Sequence, residues 1–513
     1  MKEKSIFSSA LKLSTLLFVS KLAGLLKQMM IVAICGTTYQ TDVYFVATGV
    51  LFALSSILFS AFSTPLLTIH TERLINGGRE RSNALINASL KVTVPVSLLI
   101  TGLIISFAPY VAKGLAPSFE GEQLALLIRA VRVMAFIFTF GGIYFVVGII
   151  LETEKDFLPG RCINLFQNVF VALATIFLFP DYGIMSMIYA FVAAVAVQMI
   201  LILWKTRKLF RLSLSDGSEK EAIKKILRLM VPLLIGSAIY EVNDIVDKQI
   251  ASGLGDGSIS MLTCGASVNE IITTLVITAV SSVLFAHYAT WIVEGKLRKV
   301  SEQLRSSMEY LITLLLPVMI VCLICGDNVV SVLYQRGNFD AVAVRNTAPV
   351  VMGYAAGFCF QAVRANFVKV FYAFQDTKTP MINGAIAIAI NITLSIILSK
   401  YLGVGGIALA TSISMMVVSA LLLPGIRRRL PDFSIRSLLP ECGKALVITA
   451  LLFPCAYAIK KAVGENTYIQ LGCVGAFVVL AYVGMGWLFR LRTIKEILHN
   501  GLAKIKGDSS ERK

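Results

Sequence analysis

Long apolar runs broken by short polar turns make up most of this chain. Runs of about 20 residues, enough to cross a bilayer core as helix, fall at 13–34, 43–67, 92–111, 133–151, 162–179 and 184–204 in the first half. The second half repeats the pattern at 230–251, 268–293, 310–326, 350–371, 382–399 and 405–423, and a last pair follows at 445–459 and 469–489. The pattern predicts an all-α polytopic membrane protein with about fourteen transmembrane helices.

The polar turns alternate in charge. With the N-terminus inside, the inner turns carry Arg73, Arg79 and Arg81, then Lys155 and Arg161, then the basic run from Lys205 through Arg211 to Arg228. Lys296, Arg298, Lys299, Lys378, Arg427, Arg428, Arg429, Arg490, Arg492 and Lys495 continue the series. Outer turns such as 35–42 and 253–258 hold no cation. Lys113, Arg129, Arg132, Arg336, Arg345, Lys400, Lys460 and Lys461 depart from this bias. The alternation predicts that both termini are cytoplasmic.

Composition agrees with this environment. Hydrophobic residues are 57% of 513 and charged residues 15%, too little polar surface to cover a soluble protein of this size. The net charge of +17 follows from the inner-turn bias and suits anionic lipid headgroups, so it does not call for nucleic acid. The nine cysteines are scattered, and Cys322 and Cys325 form a C-x-x-C spacing with no second pair. Three separated histidines give no metal-ligand pattern, so no cofactor is expected. The basic N-terminus runs straight into the first apolar stretch, as a retained membrane helix does and a cleaved signal does not.

The chain is weakly duplicated. Ser55-Ser56-Ile57-Leu58-Phe59 in the second helix matches Ser281-Ser282-Val283-Leu284-Phe285 in the eighth, and the first and seventh helices both close on a glycine turn. The organisation expected is a first lobe at 1–204, a cytoplasmic amphipathic linker at 205–228 and a second lobe at 229–429. Residues 430–513 supply the last two helices and a basic tail.

The informative chemistry is charge inside the apolar runs. Lys21 and Lys27 lie in the first, Lys248 in the seventh, and Arg364 and Lys369 in the tenth. A cation at the bilayer midplane costs about 2.5–3.5 kcal/mol, so it faces a protein interior or a wet cavity unless it can snorkel to an interface. A cavity rich in lysine and arginine suits an anionic cargo. The seventh helix also carries Glu241, Asp244 and Asp247, and Glu241, Asp244 and Lys248 share one face. Either they neutralise one another or they form a coupling site for a proton or Na⁺.

Phosphate-binding glycine loops, nucleophile elbows and zinc-protease motifs are all absent from the sequence. The expectation is a carrier and not an enzyme. A cation-coupled drug exporter is one alternative, but it needs an acidic cavity. A membrane-embedded polyprenyl-phosphate enzyme is another, but it needs paired aspartate motifs for Mg²⁺.

Several strings carry a family resemblance. Cys35-Gly36 followed by Thr41-Asp42-Val43-Tyr44-Phe45-Val46-Ala47 resembles an element of the MurJ/MviN family of lipid-linked precursor flippases. Gln335-Arg336-Gly337-Asn338-Phe339-Asp340, the stretch from Phe371 to Pro380, and Val246-Asp247-Lys248-Gln249-Ile250-Ala251-Ser252 are similar to further family motifs, in the same order. The resemblance implies two six-helix lobes in a V around a cationic cavity, with two C-terminal helices forming a lipid-facing groove. It implies a bacterial inner-membrane protein that translocates lipid II, an undecaprenyl-pyrophosphate-linked disaccharide-pentapeptide, for peptidoglycan synthesis. Lys21, Lys27, Lys248, Arg364 and Lys369 would then bind the headgroup, with Asp42 and Asp247 as gating or ion-coupling residues. The sequence departs from the family at Gln28, near Ser55, and at Cys264-Gly265-Ala266-Ser267, where charged residues are expected. Those departures keep another lipid-linked polysaccharide unit open as cargo.

Overall fold

The computed structural model describes residues 2–156, 158–210 and 219–496. Residues 211–218 of the expected linker, including Arg211, and the tail beyond 496 lie outside the described residues. Every regular element among the described residues is helical. The first stretch forms α1 (Lys2–Cys35), and the second and third share α2 (Tyr39–Ser106).

A straight helix of 68 residues would be ~100 Å long, against ~30 Å of hydrocarbon. α2 is interrupted at Gly78 (φ 70°, ψ −172°), a conformation in which a β-carbon would be strained. Arg73, Arg79 and Arg81 flank the break, so the two expected spans are separated by a charged turn.

α3 (Ala108–Leu115), α4 (Gly121–Met134), α5 (Phe136–Thr153), the single turn α6 (Leu158–Arg161), α7 (Ile163–Phe177), the single turn α8 (Phe179–Tyr182) and α9 (Ile184–Thr206) follow. Next come α10 (Lys220–Ser252) and α11 (Ser258–Ile272), then a π-helical turn at Thr273–Thr278 leading into α12 (Ala279–Val293). α13 (Leu297–Ile324), α14 (Gly326–Tyr334), α15 (Ala341–Ala355), α16 (Phe358–Ala373), α17 (Lys378–Leu402) and α18 (Val404–Arg429) complete the second half. The final pair is α19 (Leu439–Ala462) and α20 (Thr467–Leu488). Each expected stretch lies largely in helix. Nine helical segments among the described residues are long and apolar enough to cross a membrane by length and composition.

The chain divides into two compact units. One is Met1–Ser260 with Arg336–Phe339, the other Met261–Gln335 with Asp340–Lys513. In the first unit, Phe62, Leu66, Leu85 and Ile86 of α2 pack with Val147 and Ile150 of α5 and Ile202 of α9. Ala222, Ile223 and Ile226 of α10 join the same core, while Lys224, Lys225 and Arg228 are exposed. The amphipathic end of the linker is therefore the first turns of α10, with its apolar face against this core. Glu219, 5% exposed, pairs with Arg73 at 3.1 Å and fixes its start.

In the second unit, Val370 and Phe371 of α16 pack with Val418, Leu422 and Ile426 of α18 and Leu304 of α13. Leu316, Ile320 and Ile324 of α13 form a further core with Ile448 and Leu452 of α19 and Val474 and Val478 of α20. After α16, Asp376 accepts from the Thr379 backbone at 3.0 Å and pairs with Arg429. Burial opposes ionisation of Asp376, but its Thr379 bonds and the Arg429 guanidinium hold the carboxyl below the ordinary aspartate value. The motif from Phe371 to Pro380 is thus a turn that fixes α17 against the end of α18.

Lipid tails are as apolar as leucine, so membrane helices associate through close backbone approach. α15 meets α18 in this way. Ser412 donates to the Gly353 carbonyl at 2.6 Å, and a β-carbon on Gly353 would lie 2.9 Å from the Gly405 carbonyl oxygen, the Leu409 nitrogen and the Ala408 β-carbon. Gly353→Leu should therefore destabilise the protein by about 1–3 kcal/mol, the usual cost of overpacking. Gly475→Leu on α20, with open space around it, should leave stability unchanged. Thermal unfolding of both purified variants in one detergent makes the comparison.

Candidate functional site

α1 presents Lys21 exposed and Lys27 half-buried. Between them, Gly24 admits α7 to close contact: a β-carbon there would lie 3.3 Å from Asn168 Nδ2, which donates to the Ser20 carbonyl at 3.0 Å. Among the described residues no carboxylate pairs with Lys27.

Lys248 differs. Its side chain is 10% exposed, and its ammonium pairs with Asp244 one turn earlier on α10, at 2.6 Å. It also lies against α2, where a β-carbon on Gly49 would be 2.8 Å from Nζ. Of the two readings of this face, mutual neutralisation describes Asp244 and Lys248 in this conformation. Asp247 is buried and accepts from Asn243 at 3.0 Å, and Glu241 is half-buried on the same helix.

In the second unit, Arg364 and Lys369 are both half-buried on α16. Lys369 Nζ stands 5.3 Å from the Phe285 ring centroid, a cation–π distance. Nearby on α16, Gln361 donates to Asn269 of α11 at 3.2 Å. The nine candidates thus divide, with seven in the first unit and Arg364 and Lys369 in the second. Asp244 and Lys248 are directly linked as an ion pair, and Lys21 and Lys27 stand on α1.

Asp42 has a structural role that its sequence context does not show. Its carboxylate is fully buried, accepting from the Gly257 N–H at 2.8 Å, the Ser260 N–H at 2.7 Å and the Ser260 hydroxyl. It therefore caps the first turn of α11 from another helix, where the helix dipole favours a negative charge. The end of α1 is held in the same region. Asn338 donates its backbone N–H to the Ala33 carbonyl at 2.7 Å and its side-chain amide to the Ile34 carbonyl at 2.6 Å. Gly337 approaches the Ala33 carbonyl so closely that a β-carbon would collide with it. Turns 36–42, 255–260 and 336–339 converge here within the first unit. Ser260 and Asn338 were not among the expected site residues. Their signal was the glycine-rich turn Gly253–Gly257 and the Arg336–Phe339 string, neither of which says what it touches.

The positions where the resemblance expects charge are buried or half-buried and neutral. Gln28 is buried on α1. Ser55 is buried against α5, 3.2 Å from where a Gly141 β-carbon would stand. Ahead of Ala266 and Ser267, which are half-buried, Cys264 is fully buried with its carbonyl accepting from Tyr334 at 3.3 Å, and a β-carbon on Gly265 would strike Val350. Among the described residues no group of histidine, cysteine, aspartate or glutamate could hold a metal ion.

The family model described as "Lipid II flippase MurJ" matches residues 31–474. The chain is 24% identical over 499 residues to the probable lipid II flippase MurJ of Treponema pallidum, covering 90% of this chain and 92% of that protein. It is 24% identical over 514 residues to the lipid II flippase MurJ of Burkholderia cenocepacia, covering 94% and 97%. Among solved structures, one titled "Lipid II flippase MurJ, inward closed conformation" superposes with a TM-score of 0.80 at 21% identity, over 93% of this chain and 98% of that one. An inward-facing multidrug resistance MATE family transporter of the MOP superfamily superposes with a TM-score of 0.69 at 15% identity, over 80% and 95%.

Replacing Asp42 with alanine leaves buried N–H donors of α11 without an acceptor, at about 1–3 kcal/mol for each. Asp42→Ala should therefore lower thermal stability in detergent, and Asp42→Asn, which keeps one acceptor oxygen, should lower it less. Equal stability of Asp42→Ala and the parent would contradict the capping role.

Proposed function

Because the chain belongs to the MurJ family of lipid II flippases, we propose that it carries lipid II, an undecaprenyl-pyrophosphate-linked cell-wall precursor, across the bacterial cytoplasmic membrane by alternating access. The observation that carries this reading is Lys27. A half-buried lysine in a run that the sequence pattern expects to cross the membrane, with no carboxylate partner among the described residues, is expensive to keep and is offset by an anion from outside the chain. A pyrophosphate supplies such an anion. Lysine meets it as a compact point charge and gives up the bidentate geometry that arginine would offer.

In this reading Lys21, Lys27 and Arg364 hold the headgroup, with Lys369 contributing from the same helix as Arg364. Lys248 joins when its bond to Asp244 opens, so that headgroup arrival competes with an internal carboxylate. Glu241, Asp244 and Asp247 then form the candidate coupling site for a proton or Na⁺. Asp42 acts as the gate, since any movement of α11 away from α2 must release its three bonds. The repeat-related lobes are 1–204 and 229–429, joined by 205–228, and the prenyl tail follows α19 and α20. Both termini lie in the cytoplasm, as the charge bias requires.

A second cargo, another polyprenyl-linked polysaccharide unit, draws support from the neutral residues at Ser55 and Cys264–Ser267. Against the pattern that the family resemblance implies, they leave fewer cations for a pyrophosphate.

The test is rescue of a cell depleted of its lipid II flippase. The native chain should restore growth, Lys21→Gln with Lys27→Gln should not, and Lys21→Arg with Lys27→Arg should, at equal membrane abundance. Growth supported by the glutamine double variant would remove the headgroup assignment. Failure of the native chain in that cell, with rescue of a capsule-export defect, would move the cargo to polysaccharide assembly.

A further inference from the structure

The second unit contains a cleft lined by none of the candidate headgroup or coupling residues. It has a volume of about 560 Å³ and is walled by the end of α13, the start of α14, one face of α15 and the last turns of α19. Its inner part is apolar, formed by Leu323, Val344, Ala348, Met352 and Phe453. Its mouth carries Arg345 and Lys460.

The geometry of these walls is graded. Lys460 precedes the end of α19 by two residues, and Phe453 lies seven residues deeper on that helix. Arg345 is near the start of α15, and Met352 lies seven residues deeper on that one. Seven residues are two helical turns, so each wall carries a cation at the helix end and an apolar side chain ~10 Å further in, on the same face. Both gradients run the same way, from the helix ends toward the middle of the membrane runs.

The charge at the mouth exceeds what the chain itself balances. Lys460 is bound to Asp327 Oδ1 at 2.6 Å and to the Ile324 carbonyl at 2.9 Å. Asp340, at the head of α15, is occupied in capping the Ala343 N–H at 2.8 Å. Arg345 is exposed, and no carboxylate pairs with it among the described residues. Lys461 is exposed too and stacks over Tyr457, a residue of the cleft wall, at 4.9 Å from the ring centroid. Arg345, Lys460 and Lys461 are also among the cations that break the charge alternation along the sequence. Arg345 and Lys460 line this one cleft and Lys461 follows Lys460 on α19, which gives that departure a physical reason.

We infer that this cleft binds an anionic phospholipid of the surrounding leaflet, with its phosphate at Arg345 and Lys461 and one acyl chain along Val344, Met352 and Phe453. A guanidinium matches a phosphate with two parallel hydrogen bonds, and a tyrosine with a flanking lysine is the side-chain chemistry of the headgroup level. The apolar interior is where the acyl chain would lie, and a free anion would make no use of it. The site is separate from the cations of α1 and α10, so it can hold or fail independently of the cargo assignment.

The test uses the full chain in lipid nanodiscs with a tryptophan reporter at Phe453→Trp, the native chain giving the background from its three tryptophans. Phe453 is 41% exposed, so the reporter fits without disturbing a core. Phosphatidylglycerol and phosphatidylcholine with brominated chains are compared as quenchers at equal total lipid. Reporter quenching should favour phosphatidylglycerol by about fivefold for each unpaired cation, the gain expected from one basic residue near an anionic headgroup. The preference should vanish in the Arg345→Gln, Lys461→Gln double variant, whose thermal stability should equal the parent's. Equal quenching by the two lipids, or a preference that survives the double substitution, would overturn the proposal. Displacement of phosphatidylglycerol by equimolar undecaprenyl phosphate would assign the cleft to a cargo tail instead, and displacement by inorganic phosphate alone would make it a free-anion site. Either result also overturns it.

Discussion

Charge placed inside helices that must cross hydrocarbon constrains everything else in this molecule. Each such charge needs a partner within the chain, a route to the interface, or a partner brought by a ligand. The first of these is visible in three places. Lys248 has Asp244, Lys369 has the face of Phe285, and Lys460 has Asp327 at the end of its helix. Lys27 has no carboxylate partner among the described residues, and the proposed transport reading rests on that difference. An ion pair such as Asp244 with Lys248 is weak evidence for stability, because desolvation offsets much of the attraction. In the proposed reading it is an arrangement that an incoming phosphate exchanges.

Much of the fold was legible because membrane helices announce themselves locally. Twenty apolar residues in a row need no knowledge of the rest of the chain, and the fourteen expected stretches all lie largely in helix. The break at Gly78 was equally readable, since arginines crowd around it. The grouping of helices was harder to read. Counting six helices per half starts a new lobe at the seventh, yet α10 belongs by its contacts to the first compact unit, and its opening turns complete that unit's core. Periodicity shows that Ala222, Ile223 and Ile226 share a face, but it cannot say whether the face meets lipid or protein.

The site was legible as a set of residue types and illegible as a set of contacts. Asp42 stood out as a carboxylate at the edge of an apolar run. Its three hydrogen bonds reach residues more than two hundred positions away, and Asn338 reaches α1 across three hundred. No local pattern encodes such pairings. The strings that carry the family resemblance include these contact points, so motif similarity located them without explaining them. The structure supplies the reason: a buried carboxylate satisfies the open N–H groups of α11, and a glycine permits a turn to lie against a carbonyl of α1.

The neutral side chains at Ser55 and Cys264–Ser267 show that the chain keeps the family's helical framework while altering its charge. In the proposed reading they leave the lysines of α1 with a larger share of the anion recognition. The most direct measurement of that claim is the affinity of the purified protein for undecaprenyl pyrophosphate against undecaprenol, the same tail without its charge. The account predicts that the pyrophosphate binds at least about tenfold more tightly, as charge-assisted hydrogen bonds imply, with the advantage shrinking as salt is raised. Equal affinity for the two lipids would contradict it.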